Sequence, residues 1–164
     1  MLRRMYENRI GITWAQRLAR KTVAIAVDDD ASFRECLRMM LRVGGFDETI
    51  GASDADEALA IAQSRKVDLI VSDWNMAPRD GLDLLRDLRQ QQATRLTPFI
   101  LVTASLSEDS WRGALELGAT DFLVKPFSIE QLHGSADLCL ALTERRTALS
   151  NVINFDRRRR RWGG

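Results

Sequence analysis

Two cysteines, one histidine, one tyrosine and three prolines are all that this 164-residue sequence holds of those residue types. Cys36 and Cys139 have no CxxC partner, and a single His133 completes no four-ligand zinc set. The two cysteines read as buried, reduced thiols, as is usual in a cytosolic protein. No apolar run nears the roughly 20 residues that cross a bilayer. No apolar stretch follows the N-terminal arginines to make a secretory signal, so the expected compartment is the cytoplasm. Neither a Walker-type GxxxxGKS/T nor a GxGxxG occurs, which leaves nucleotide binding without support. No fixed-period repeat is present beyond an alternation of short elements, and a repeat array is thereby excluded.

What is present is ordinary in bulk and uneven in detail. A hydrophobic fraction of 45% and a charged fraction of 29% suit a globular protein. The length suggests one compact domain with short extensions, able to bury roughly two thirds of its unfolded surface without disulfide or structural metal. The net charge of +1 hides two basic ends. Residues 1–21 carry +5, from Arg3, Arg4, Arg9, Arg17, Arg20 and Lys21 against Glu7, and Arg157–Arg161 carry another +5. Residues 22–156 therefore hold −9. Crowded carboxylates cost stability unless something neutralises them, for instance a cation.

From Val23 onward, short apolar runs alternate with amphipathic stretches. Strands are expected at Val23–Val27, Glu48–Gly51, Val67–Ser72, Phe99–Thr103 and Asp121–Val124. Between and after them, helices are expected over Ala31–Val43, from Asp54 as N-cap, over Leu82–Gln91, from Ser107 or Glu108 to Gly118, and from Ser128 to about Leu142. Gly44-Gly45 ends the first helix, and Ser128 with Gln131 forms a capping box for the last. Five β-α units in series predict a doubly wound α/β domain with a five-stranded parallel sheet.

In such sheets ligands bind beyond the carboxyl ends of the strands, where strand order reverses. The first expected strand stops at Asp28-Asp29-Asp30, the third at Asp73, the fourth at Thr103 and the fifth at Lys125-Pro126. One edge thus gathers several carboxylates, a hydroxyl and an ammonium. Taken singly, each has a bland explanation: an Asp after a strand caps a helix or makes a turn, and Asp30 suits that role before Ala31. Taken together they suggest chemistry. Converging carboxylates repel unless a hard cation joins them, and Mg²⁺ takes one or two carboxylates plus waters and phosphate oxygens. Asp73 then has a free oxygen with which to attack phosphorus, with Lys125 and Thr103 contacting the phosphoryl oxygens.

Val27-Asp28-Asp29, Val71-Ser72-Asp73-Trp74-Asn75-Met76, Asp80-Gly81-Leu82, Val102-Thr103-Ala104 and Val124-Lys125-Pro126-Phe127 occur in that order and spacing. Over about 22–142 the chain resembles the receiver domains of two-component response regulators, most closely the single-domain chemotaxis type. The resemblance implies a flavodoxin-like fold with strand order 2-1-3-4-5. It implies Asp73 as phospho-acceptor, with Thr103 and Lys125 on the phosphoryl group. Mg²⁺ would be held by Asp28 (directly or through water), Asp29, Asp73 and the backbone carbonyl of Asn75. It further implies a cis Lys125–Pro126 bond and a switch in which Phe122 moves inward as Thr103 shifts. The donor would be a phosphohistidine on a sensor histidine kinase or phosphotransfer protein, and the output a protein partner on the 106–142 surface. Such a chain phosphorylates and dephosphorylates only itself and is no turnover enzyme.

Three positions depart from the family pattern. Ala77 stands where Pro is usual, with Pro78 one place later; Phe122 lacks the hydroxyl of a Tyr; Ser105 is small and neutral. The departure at Ala77 keeps a second reading open, a pseudo-receiver scaffold that does not use phosphate. A metal-dependent hydrolase would need a carboxylate where Asn75 stands. Residues 1–21 read as an amphipathic packing or dimerisation helix interrupted at Gly11, rather than a membrane anchor. The stretch 143–164 is expected to prolong the last helix and to end in a disordered tail. For Arg157–Arg161 beside Trp162, contact with nucleic acid or an anionic membrane, folding back on the acidic core, and an idle solvated tail all stand open. No helix-turn-helix follows residue 142, which argues against a specific transcription factor.

Overall fold

A computed structural model of the chain describes residues 21–105 and 107–143; the expected N-terminal helix, Lys21 apart, and the arginine tail lie outside the described residues. The elements in chain order are β1 (Val23–Val27), α1 (Ala31–Val43), β2 (Glu48–Ala52), α2 (Ala55–Ser64) and β3 (Leu69–Asp73). They continue with α3 (Gly81–Gln90), β4 (Phe99–Thr103), α4 (Glu108–Glu116), β5 (Asp121–Val124) and α5 (129–143).

The sheet is parallel throughout, in the order β2-β1-β3-β4-β5. Every residue of β1, β3 and β4 is buried, as expected for strands covered on both faces. Side-chain alternation sorts the core into two layers. Ile25, Val27, Ile70, Phe99 and Leu101 face α2, α3 and α4, meeting Ala58, Leu84, Leu88 and Ala114. Ala24, Ala26, Val71, Ile100 and Val102 face α1 and α5, meeting Leu37, Leu41, Leu132 and Ala136.

Local chemistry sets most boundaries. Asp30 caps α1 by accepting the Phe33 N–H, and Asp54 caps α2 by accepting the Glu57 N–H. The Glu57 carboxylate reaches back one residue further than a capping box requires, to the Ser53 N–H at 2.7 Å. Ser128 and Gln131 form the expected reciprocal pair, at 2.8 and 3.3 Å. After α1, Gly45 takes a φ of 94°, a conformation that favours glycine. β3 begins two residues later than its apolar run predicts, because Asp68 is committed to β1. The Asp68 amide donates to the Val23 carbonyl at 2.8 Å and its carboxylate accepts the Val23 N–H at 2.9 Å.

The expectation of two buried thiols needs a correction. Cys139 is buried, and burial pushes its thiol up to about 12 with help from the Asp121 charge. Cys36 is exposed. It lies beside the apolar stripe of α1 that Leu37 and Leu41 bury, and helical spacing alone does not separate the centre of such a stripe from its flank.

Candidate functional site

β1 and β3 are neighbours, and the strand order reverses there, β2 lying to one side of β1 and β4 beyond β3. Val27 pairs with Ser72, so Asp28 and Asp73 leave the sheet side by side. Both are buried, at 2% and 6% exposure. Asp28 is fixed from three directions. Its amide donates to the Ala52 carbonyl at 3.2 Å, its Oδ1 accepts the Asp30 N–H at 2.9 Å, and its own carbonyl accepts from Arg34 Nη1 at 2.6 Å. Asp73 Oδ2 accepts the Asn75 N–H at 2.9 Å, which leaves Oδ1 facing the site.

Lys125 closes the arrangement. Its amide donates to the Thr103 carbonyl at 2.8 Å, and a cis bond joins it to Pro126. Its Nζ lies 2.7 Å from Asp73 Oδ1 and 3.3 Å from Asp28 Oδ2. Burial pushes the Asp28 carboxyl above the ordinary aspartate range; the Asp73 charge adds to this, while the Asp30 N–H and Lys125 oppose it. Burial also works against the Lys125 ammonium, but its contacts with Asp73 and Asp28 outweigh that effect and hold it above the usual lysine value.

The other expected residues are placed as follows. Thr103 is buried at the end of β4, where its hydroxyl donates to the Ser105 carbonyl at 2.7 Å, within its own loop. Asp29 and Asn75 are exposed. Phe122 packs partly buried against the α2–α4 layer, its ring centroid 6.1 Å from that of Trp111.

Three contributors are not legible from strand ends. Gly81 donates to the Trp74 carbonyl at 2.9 Å, and a Cβ there would stand 2.4 Å from the Asp73 carbonyl oxygen. Only glycine lets α3 begin that close beneath Asp73. Arg79 holds the loop after Asp73 by pairing with Asp56 at 2.6 Å and with Asp87, and that loop carries a cis Ala77–Pro78 bond. Phe33 lies under Lys125, whose Nζ is 3.9 Å from the ring centroid. Its signal in the sequence is its position three residues after the cap Asp30, from which a helical side chain leans back toward the preceding turn.

The acceptor groups that converge beside Lys125 offer oxygen alone, which suits a hard cation rather than zinc or copper. Among the described residues no group of three or more His, Cys, Asp or Glu side chains could hold a metal ion. A Mg²⁺ ion bound there would draw on one or two carboxylates and complete its shell with backbone oxygen, water and phosphate, its normal habit. The donor set fits.

Known proteins similar to this chain share its fold. The response regulator receiver domain profile matches residues 24–137. The chemotaxis protein CheY of Pseudomonas aeruginosa is 35% identical over 108 residues, covering 66% of this chain and 87% of that protein. The phosphate regulon transcriptional regulatory protein PhoB of the same organism is 38% identical over 112 residues, 68% of this chain. The match spans 48% of PhoB, so this chain corresponds to about half of that relative. Among solved structures, the chemotaxis response regulator CheY4 of Vibrio cholerae superposes with a TM-score of 0.69 at 34% identity, over 74% of this chain and 100% of that one. A doubly wound domain with an acidic pocket at its switch point is the class the fold defines. This chain belongs to the response regulator receiver domain family of two-component systems. Members of the family are switches that accept a phosphoryl group on an aspartate and bind Mg²⁺ at an acidic pocket.

Proposed function

We propose that Asp73 is the phospho-acceptor of this chain and that a phosphohistidine on a sensor kinase or phosphotransfer protein is its donor. The observation that carries this is the Lys125 ammonium, held between Asp73 Oδ1 and Asp28 Oδ2 at 2.7 and 3.3 Å. Asp73 Oδ1, the oxygen that faces the site, attacks phosphorus, the P–N bond to the donor imidazole breaks, and the imidazole nitrogen takes a proton from solvent. The product is an acyl phosphate on Asp73. Asp28, Asp29, Asp73 and the Asn75 carbonyl would hold Mg²⁺, which when bound offsets the repulsion between the carboxylates and the incoming anion. Lys125 would follow the phosphoryl oxygens as they replace Asp73 Oδ1 as its partner. Thr103 would leave the Ser105 carbonyl to meet them, drawing Phe122 inward and changing the 106–142 surface that a downstream protein reads. The reaction is self-modification rather than turnover, and the compartment is the cytoplasm. No described helix is long and apolar enough to cross a membrane.

Intact-mass measurement after incubation with acetyl phosphate tests this reading. A single phosphoryl gain that needs Mg²⁺ and vanishes in Asp73→Asn is expected. A gain that survives Asp73→Asn moves the acceptor elsewhere, and no gain in the native chain favours a scaffold role.

A further inference from the structure

Lys125 carries three N–H bonds, and the two carboxylates account for two directions. The ammonium also lies over the face of Phe33, 3.9 Å from the ring centroid. That distance is well inside the roughly 6 Å within which a ring quadrupole attracts a cation. The ring is itself held. The Phe33 N–H is the one the Asp30 cap accepts, at 2.7 Å, and the Asp30 N–H is in turn bound by Asp28 Oδ1 at 2.9 Å. One short turn therefore sets both the buried carboxylate and the ring. Phe33 and Phe127 also pack edge to face, at a centroid distance of 6.1 Å and an interplanar angle of 87°. The ring thus contacts both the ammonium and Phe127, in the chain leading into α5.

We propose that Phe33 is a positioning residue, an aromatic seat that holds the Lys125 ammonium between Asp28 and Asp73 ahead of phosphoryl transfer. This rests on the reading of Asp73 as acceptor. The seat has two opposed effects. It keeps the ammonium where phosphoryl oxygens arrive, which favours transfer. It also stabilises a cation that competes with Mg²⁺ for the same carboxylates, which weakens metal binding. Removing the ring while keeping its bulk should therefore split the two properties rather than damage both.

The variants are Phe33→Leu, Phe33→Met in case leucine packs poorly, and Phe33→Tyr, which keeps the ring. In the metal-free native protein the Lys125 ε-methylene protons should resonate upfield by the ring current, and the shift should vanish in the leucine and methionine variants and persist with tyrosine. Mg²⁺ titrated alone, followed by amide chemical shifts, should bind the ring-less variants about two- to fivefold more tightly. At saturating Mg²⁺ their phosphorylation rate with acetyl phosphate should fall by a similar factor, and tyrosine should restore native values. An unshifted Lys125 in the native protein overturns the seat. So does an unchanged Mg²⁺ affinity, or a parallel loss of affinity and rate that tyrosine fails to rescue. Should the native chain take no phosphoryl group, the reading of Asp73 fails, while the resonance and titration results still judge the seat.

Discussion

Asp28 bears a cost in the native state that its neighbours only partly relieve. It is buried beside a second carboxylate, and Lys125 stands closer to Asp73 than to it. Its carboxyl is held above 3.8, so the folded protein binds that proton more tightly than the unfolded chain does. Below the unfolded value both states hold the proton and nothing is lost. As pH rises through the raised folded value, the native state loses stability relative to the unfolded chain. Asp28→Asn should therefore stabilise the metal-free protein at pH 7. A gain of 1 kcal/mol would raise Tm by about 2–4 °C for a chain of this length. The gain should fade as pH is lowered toward 4, and scanning calorimetry in chelator at pH 7 and pH 4 measures both. A loss of stability at neutral pH would mean that the Lys125 contact outweighs the burial.

At the scale of elements, the connection from β3 to α3 is where the site is most demanding. Asp80 and Asp83 cap α3 reciprocally, and Gly81 allows that cap to sit against the Asp73 carbonyl. Gly81→Ala would press a methyl group into backbone, at 2.4 Å from the Asp73 oxygen, and into Leu101 Cδ2 at 3.0 Å. The expected cost in urea denaturation is about 1–3 kcal/mol, with phosphorylation by acetyl phosphate falling in parallel. Asp80→Ala removes only the cap and should cost about 1 kcal/mol. Equal effects would mean that the connection yields more than its packing suggests. On the free side of β2, Arg38 Nε donates to the Thr49 carbonyl at 3.1 Å, and the Arg38 and Arg34 stems lie over Gly51. Such charged cover blunts an edge strand against pairing with another chain.

Much of this was legible in the sequence, and what was not has a common cause. β1 ended just before its first charge and β3 on one, because a parallel strand buried on both faces admits charge only at its end. Asp28, Asp73 and Lys125 meet because parallel strands all end on one side. Asp54 and Ser128 announced helix starts through a partner three residues on, and Asp30 through its place before Ala31. What escaped depends on contacts between distant segments. Asp68 belongs to β1 through space, and Arg79 reaches both Asp56 and Asp87. Phe33 belongs to Lys125, far along the chain. Period and composition carry no information about partners so far apart along the chain.

On the scale of the whole molecule, the −9 carried by residues 22–156 would give a bound cation a thermodynamic role beyond the chemistry. A ligand that binds only the folded state stabilises it by about 2.7 kcal/mol at one hundred times its Kd. Mg²⁺ at millimolar concentration should therefore raise Tm, and the rise should be lost in Asp29→Asn and in Asp73→Asn. A rise of equal size from Na⁺ at matched ionic strength would instead point to general screening of the acidic surface.

The central claim is that the group receiving phosphate is the Asp73 carboxylate, drawn out by the cations around it. Borohydride reduction of the phosphorylated protein converts an aspartyl phosphate to homoserine, and peptide sequencing by mass spectrometry then locates it. The account predicts homoserine at position 73 and nowhere else. Homoserine at position 28 or 29, or a phosphoryl group that resists borohydride, would contradict it.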